Sequence, residues 1–111
     1  MSRLKSLLLG IVLGSLPALA IPVALHAAAD KAVMIDNFAF SPAALTITAG
    51  TQVTWTNRDD IPHTVVVLGS SGVRSHALDT DQTFSYTFDK AGTYQYICGL
   101  HPNMHGQVIV N

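Results

Sequence analysis

The sequence predicts a small all-β protein, a Greek-key β-sandwich or barrel of about seven strands. Strand-forming runs recur at intervals of roughly 8–12 residues, with Gly- and Ser-containing turn signals between them. After residue 30, no window of ten or more residues has a convincing helical period. The predicted strands are, in chain order, KAVMID (31–36), LTITAG (45–50), TQVTWTN (51–57), HTVVVL (63–68), TFSYTF (83–88), TYQYIC (93–98) and GQVIVN (106–111).

The runs differ in how clearly they separate two faces. KAVMID alternates moderately, and LTITAG reads as a strand that ends at Gly50. In TQVTWTN, Val53 and Trp55 share one face, which indicates a half-buried strand. HTVVVL is rich in β-branched residues, which favours a buried strand. We expect the core to contain Trp55 and two one-sided stripes, made of Phe84, Tyr86 and Phe88 in one strand and of Tyr94, Tyr96 and Cys98 in another.

Residues 1–29 predict a signal peptide. Arg3 and Lys5 precede a long apolar run, and the small residues of HAAAD suit cleavage after Ala27 or Ala29. A retained membrane anchor is the alternative, because the run approaches the roughly 20 apolar residues that span a bilayer. Two prolines interrupt the run and favour removal. We therefore expect export to the periplasm, with no stable membrane insertion after the signal is removed.

Residues 30–111 are predicted to form a single domain, near the lower size limit for one hydrophobic core. The chain has one cysteine, which cannot form an internal disulfide, so a metal is the remaining common means of stabilisation. Seven Asp against four Lys and Arg give this part a formal charge of −3. Without a basic cluster, nucleic acid is excluded as a partner.

Four side chains form a candidate metal site. Cys98, His101 and Met104 recur at intervals of three in the loop between the last two predicted strands, and Pro102 stiffens that loop. His63 is the candidate fourth ligand, since it begins a strand directly after a proline. Two imidazoles, a thiolate and a weak axial thioether are the ligands of electron-transfer copper sites. The sulfur ligands stabilise Cu(I) and the imidazoles also suit Cu(II), so one geometry serves both oxidation states.

Two segments resemble the cupredoxins, most closely the small amicyanin-like type. YQYICGLHPNMHGQVIV is similar to the C-x-x-H-P-x-M segment of that type, and VTWTNRDDIPHTV is similar to the strand that leads to its first histidine ligand. The resemblance covers roughly residues 31–110. It implies one type 1 copper ion bound by His63, Cys98, His101 and Met104. The chain departs from many relatives at Thr64, where they have an asparagine that braces the ligand loop.

Other interpretations remain open from the residues alone. A single cysteine is often an inert buried residue, and His105 rivals its neighbour Met104 as a ligand. In an extended segment the two side chains point to opposite sides, which favours an exposed His105. Zinc would accept a cysteine and two histidines, but a thioether is an unusual zinc ligand. A Cys–His hydrolase lacks an evident oxyanion segment and a third orienting group, and His76 reads as a solvated loop residue.

The function predicted from these features is one-electron transfer without enzymatic activity. The protein would be a monomeric periplasmic carrier that meets redox proteins transiently, through a surface formed by Leu100, His101, Pro62 and Pro102, with Met34 as a further candidate. Asp59 and Asp60 would steer a basic partner weakly. The alternatives are a copper storage or delivery module with the same ligands and no redox turnover, and a metal-free adhesion module.

Overall fold

The computed structural model describes residues 30–111, which form eight β-strands in two four-stranded sheets. The prediction of an all-β sandwich is confirmed, and the described range contains no helix. No segment of that range could therefore cross a membrane as an apolar helix. The predicted signal peptide lies outside the described residues and stays a prediction. The strands are β1 (Lys31–Asp36), β2 (Ala39–Ser41), β3 (Ala44–Ile47), β4 (Thr51–Asn57), β5 (Val66–Val67), β6 (Thr83–Phe88), β7 (Gly92–Ile97) and β8 (His105–Val110).

The chain passes repeatedly between the two sheets, as a Greek-key sandwich requires. The first sheet has the order β2-β1-β4-β6, in which β1 runs parallel to β4 and antiparallel to β2. The second has the order β3-β8-β7-β5, in which β3 runs parallel to β8 and β7 is antiparallel to both neighbours. The loop from β7 to β8 and the segment before β5 therefore meet at one end of the second sheet.

The core lies between the sheets and is built from alternate residues of each strand. In β4, Val53 and Trp55 are fully buried, whereas Thr54 and Thr56 are only half-buried, as the alternation predicts. Trp55 packs edge-on against Tyr96 of the opposite sheet, with 5.4 Å between ring centroids. This contact joins the two sheets through the middle of the apolar core.

Several local predictions were wrong. The strand β2 was missed, because its three residues show no period. LTITAG was predicted to extend to Gly50, but β3 ends at Ile47. Of HTVVVL only Val66–Val67 forms a strand, because the rest of the run pairs with a loop through isolated bridges, such as that between His63 and Leu78. The stripe on β6 is only partly core, since Phe88 is buried but Tyr86 is exposed at the edge of its sheet.

Candidate metal centre

Three of the four predicted ligands converge at one end of the sandwich. The potential ligand atoms of His63, Cys98 and His101 all lie within 4.8 Å of one another. Cys98 Sγ is 3.7 Å from His63 Nδ1 and 3.7 Å from His101 Nδ1. Met104, the fourth, is buried at the end of the same loop. Two separate parts of the chain thus bring a thiol and two imidazoles to one point.

These distances fit a metal ion bound by three in-plane ligands. A first-row metal such as zinc binds sulfur at about 2.3 Å and imidazole nitrogen at about 2.0 Å. If the sulfur–metal–nitrogen angle is about 120°, as in a trigonal site, bonds of those lengths place the sulfur and the nitrogen about 3.7 Å apart. Both sulfur–nitrogen distances have this value. The sulfur and the two imidazole nitrogens are therefore spaced as a His₂Cys metal site requires of its sulfur–nitrogen pairs.

The loop that carries three of these residues is closed by its own backbone. The Cys98 N–H donates to the Met104 carbonyl at 3.2 Å, and the Met104 N–H donates to the His101 carbonyl at 2.9 Å. Pro102, which lies within this loop, has a fixed φ angle and restricts the preceding residue, His101, to extended conformations. The backbone of this short loop is thus restricted by two hydrogen bonds and a proline.

His63 is oriented by Asp59, a contact that the sequence analysis missed. His63 Nε2 lies 2.7 Å from Asp59 Oδ2, and because a carboxylate oxygen accepts, Nε2 is the nitrogen that carries the proton. In the neutral ring, Nδ1 then presents its lone pair toward Cys98, as a metal-ligating histidine requires. The steering role predicted for Asp59 remains a prediction.

The charge of Asp59 is stabilised by hydrogen bonds. Burial acts to raise the pKa of its carboxyl group, but the backbone N–H groups of Phe38 and Asn37 and the His63 ring outweigh burial and hold that pKa below 3.8. The two N–H groups donate to Oδ2 and Oδ1 at 2.9 and 2.6 Å. The carboxylate is thus a fixed acceptor that joins the turn between β1 and β2 to the histidine.

Asn57 builds the turn that places Asp59 and His63. It is fully buried at the end of β4, and its Nδ2 donates to the carbonyls of Ile61 and Leu78 at 2.9 and 2.8 Å. Its Oδ1 accepts the Asp59 N–H at 2.9 Å. One buried amide side chain therefore satisfies three backbone groups and fixes the path from β4 to the histidine.

Thr64 connects the two halves of the site. Its N–H donates to Cys98 Sγ at 3.3 Å, and its Oγ1 accepts the Gly99 N–H at 2.7 Å. The first bond stabilises negative charge on the sulfur. The second joins the segment after His63 to the ligand loop, so that the threonine hydroxyl makes the brace expected of asparagine in many relatives.

The remaining predicted residues lie at or near the surface of the domain. His101 is half-buried, and Leu100, Pro62 and Pro102 are exposed. His105 is exposed whereas its neighbour Met104 is buried, as the opposite directions of adjacent side chains predict. His76 is exposed in the loop after β5. Half-exposed Phe38, which the sequence did not single out, lies at the same end.

Comparison with known proteins identifies the family of the chain. The family described as the cupredoxin-like domain matches residues 8–110. The chain belongs to the cupredoxin-like family. This cupredoxin is 37% identical over 95 residues to amicyanin of Paracoccus denitrificans, which covers 80% of this chain and 72% of that protein.

Solved structures of the family have the same fold. A purple cupredoxin from Nitrosopumilus maritimus matches with a TM-score of 0.69 at 32% identity, and the match covers 74% of this cupredoxin and all of that chain. A Cu(I) structure of an amicyanin variant matches with a TM-score of 0.68 at 35% identity, over 74% of this chain and 82% of the other. The predicted family and fold are therefore confirmed. The amicyanin variant named above contains Cu(I).

Proposed function

We propose that this cupredoxin carries single electrons on one type 1 copper ion, which His63, Cys98, His101 and Met104 would hold. The single observation that supports this most directly is the pair of equal 3.7 Å distances from Cys98 Sγ to the two Nδ1 atoms. Copper supplies the one-electron couple between Cu(I) and Cu(II) when it is bound. The protein supplies the geometry, the charge and the path to the surface.

The burial of the site supports electron transfer over catalysis on a substrate. His63 and Cys98 are fully buried and Met104 is 5% exposed, so these donors are shielded from solvent, whereas catalytic metal sites keep a position open to substrate. His101, half-buried, is the ligand through which an electron would reach the surface. The Asp59, Thr64 and backbone bonds hold the donors still, which keeps the rearrangement between oxidation states small.

Partners would dock around His101. Leu100 is 50% exposed and lines one surface depression together with Phe38, His101 and Pro102, so the ligand has apolar neighbours. Pro62 is exposed directly before His63 in the chain. A small apolar patch suits the brief encounters of redox proteins, whose interfaces fall below about 1,200 Å². Asp60 is exposed and carries the weak steering charge that was expected of both aspartates. The carrier would act as a monomer in the periplasm after removal of residues 1–29.

The decisive experiment is to add Cu(II) to the purified protein and record visible and electron paramagnetic resonance spectra. A type 1 site gives an intense thiolate-to-copper absorption band and a small copper hyperfine splitting. Cys98→Ser, which removes the thiolate, should abolish the band, whereas His76→Ala should leave it unchanged because His76 lies outside the site. A colourless wild-type protein, or a blue Cys98→Ser variant, would remove the proposed site.

The electron self-exchange rate distinguishes a carrier from a copper storage or delivery module. A carrier with a preformed site exchanges electrons rapidly between its Cu(I) and Cu(II) forms, and line broadening in nuclear magnetic resonance spectra of mixed samples measures this rate. A protein that binds copper but shows no measurable exchange would support storage instead. The same samples report whether the copper stoichiometry is one.

A further inference from the structure

Phe38 packs against both predicted histidine ligands. Its ring centroid is 5.2 Å from that of His101 and 5.4 Å from that of His63, with interplanar angles of 88° and 87°. These are edge-to-face arrangements, which are favourable for aromatic rings. Phe38 is nevertheless 51% exposed, so it is the outermost layer over the two imidazoles and does not belong to the core between the sheets.

The backbone of Phe38 adopts a conformation that phenylalanine disfavours. Asn37 and Phe38 form the two-residue hairpin between β1 and β2, and their φ angles are +53° and +58°. Such turns favour glycine or asparagine, because a bulky side chain is strained at positive φ. Glycine would suit position 38 better if only the turn mattered. A strained residue in contact with a site points to a role for its side chain.

The strained turn is fastened to the same histidine by Asp59. Oδ2 of this carboxylate accepts both the Phe38 N–H, at 2.9 Å, and the His63 Nε2–H, at 2.7 Å. Oδ1 accepts the Asn37 N–H at 2.6 Å. The turn that carries the phenyl ring and the imidazole that it covers are therefore tied to one carboxylate group.

We propose that Phe38 is a positioning residue of the copper site, whose ring holds the two imidazoles in their ligating orientation and keeps water away from the metal. This inference rests on the proposed function. An apolar cover disfavours the more highly charged Cu(II) form relative to Cu(I), so the ring raises the reduction potential. It also slows copper release, because His101, the more exposed imidazole, must move past it to leave the metal.

Three variants separate the ring from the backbone. Phe38→Ala and Phe38→Gly both remove the ring, but only glycine relieves the positive φ, and Phe38→Tyr keeps the ring. In the copper-loaded protein, the Ala and Gly variants should show the same lowered potential and the same altered hyperfine splitting. Transfer of Cu(I) to a chelator should be faster by about two- to tenfold, the factor that one edge-to-face contact represents. The Tyr variant should match the wild type in all three measurements.

Unfolding of the copper-free variants provides the second readout. Phe38→Gly should be more stable toward urea than Phe38→Ala, although the two have the same copper properties. The proposal is overturned if the wild type has a type 1 spectrum and the Ala and Gly variants keep its potential and release rate. It is also overturned if Ala and Gly differ from each other in potential, or if Tyr behaves like Ala. A wild type without a type 1 spectrum would instead refute the proposed function itself.

Discussion

Gly106 lies against the ring of Tyr96, and replacing this glycine should destabilise the fold. The two residues pair across β7 and β8. A Cβ atom at position 106 would overlap Cζ and Oη of Tyr96 and lie 2.8 Å from Cε2. The ring cannot move aside, because Tyr96 is 1% exposed and packs against Phe40 and Trp55 at centroid distances of 4.7 and 5.4 Å. Gly106→Ala therefore overpacks the core.

Overpacking a well-filled core lowers the free energy of unfolding by about 1–3 kcal/mol. Without the clash, alanine would be more favourable than glycine in a strand by roughly 0.5–1 kcal/mol. A decrease in the free energy of unfolding would therefore indicate the clash, and an increase would indicate its absence. We expect a loss of about 2 kcal/mol, which lowers the melting temperature of a domain of this size by about 8–16 °C. Urea unfolding of the copper-free protein, followed by fluorescence of Trp55, measures it.

A double-mutant cycle tests the cause. Tyr96→Leu removes the three overlapping ring atoms, so Gly106→Ala should destabilise the Leu variant much less, with a coupling energy of about 2 kcal/mol. Tyr96→Phe removes Oη but keeps Cζ and Cε2, and should give no such relief. The reasoning fails if Gly106→Ala is as stable as the wild type, or if Tyr96→Phe relieves the loss as fully as Tyr96→Leu.

Three further predictions concern single polar groups. Thr64→Val leaves the Gly99 N–H without its acceptor; it should lower the free energy of unfolding by about 1 kcal/mol and speed amide exchange at Gly99, whereas Thr64→Ser should preserve both. Asn57→Ala removes the three hydrogen bonds of a buried side chain and should lower that free energy by about 3 kcal/mol. Arg58→Ala, which breaks an exposed ion pair with Asp81, should lower it by less than about 1 kcal/mol. Equal losses in urea titrations would contradict this account. Burial raises the pKa of Tyr96 to about 12, with the Trp55 indole opposing this slightly. Because the folded state holds this proton more tightly than the unfolded chain, whose tyrosine pKa is about 10, stability should be unaffected below about pH 10 and fall between about pH 10 and 12. Tyr96→Phe should lack that part of the decline in urea midpoints, and an unchanged decline would show that other groups cause it.

The strands that could be predicted are those in which residue order alone separates the two faces. The predicted bounds of β1, β4 and β6 are those observed, and β7 and β8 are displaced by one residue. HTVVVL failed because β-branched residues indicate an extended chain without specifying its partner. The loop that follows pairs with this run through separate bridges, such as Val66 with Arg74, so no long ladder forms.

The chemistry of the candidate site could be predicted from the sequence because it depends on residue types and on a short loop. The spacing of Cys98, His101 and Met104 is local, and a stiff loop can bring such residues together. The role of Asp59 could not be predicted, because its contact with His63 depends on a turn fixed by Asn57. Asn57 in turn donates to the carbonyl of Leu78, which is 21 residues further along the chain. An aspartate four residues before a predicted histidine ligand was the available signal.

Phe38 was missed for a similar reason. A phenylalanine at positive φ contradicts the usual turn preferences, so residue statistics argue against the hairpin that the chain forms. Only the three-dimensional arrangement shows that the Asp59 carboxylate holds this turn. Local preference was overridden here by a contact between residues 21 positions apart.

The lengths of the edge strands affect the tendency of the molecule to aggregate at high concentration. Each sheet has one very short border strand, β2 with three residues and β5 with two, so these borders offer little backbone for another molecule to extend. The first sheet's other border, β6, is six residues long and exposes the hydroxyl side chains of Thr83, Ser85 and Thr87. Intermolecular sheet growth, under conditions that force it, would therefore start at β6, and a lysine at position 85 would be the simplest protection.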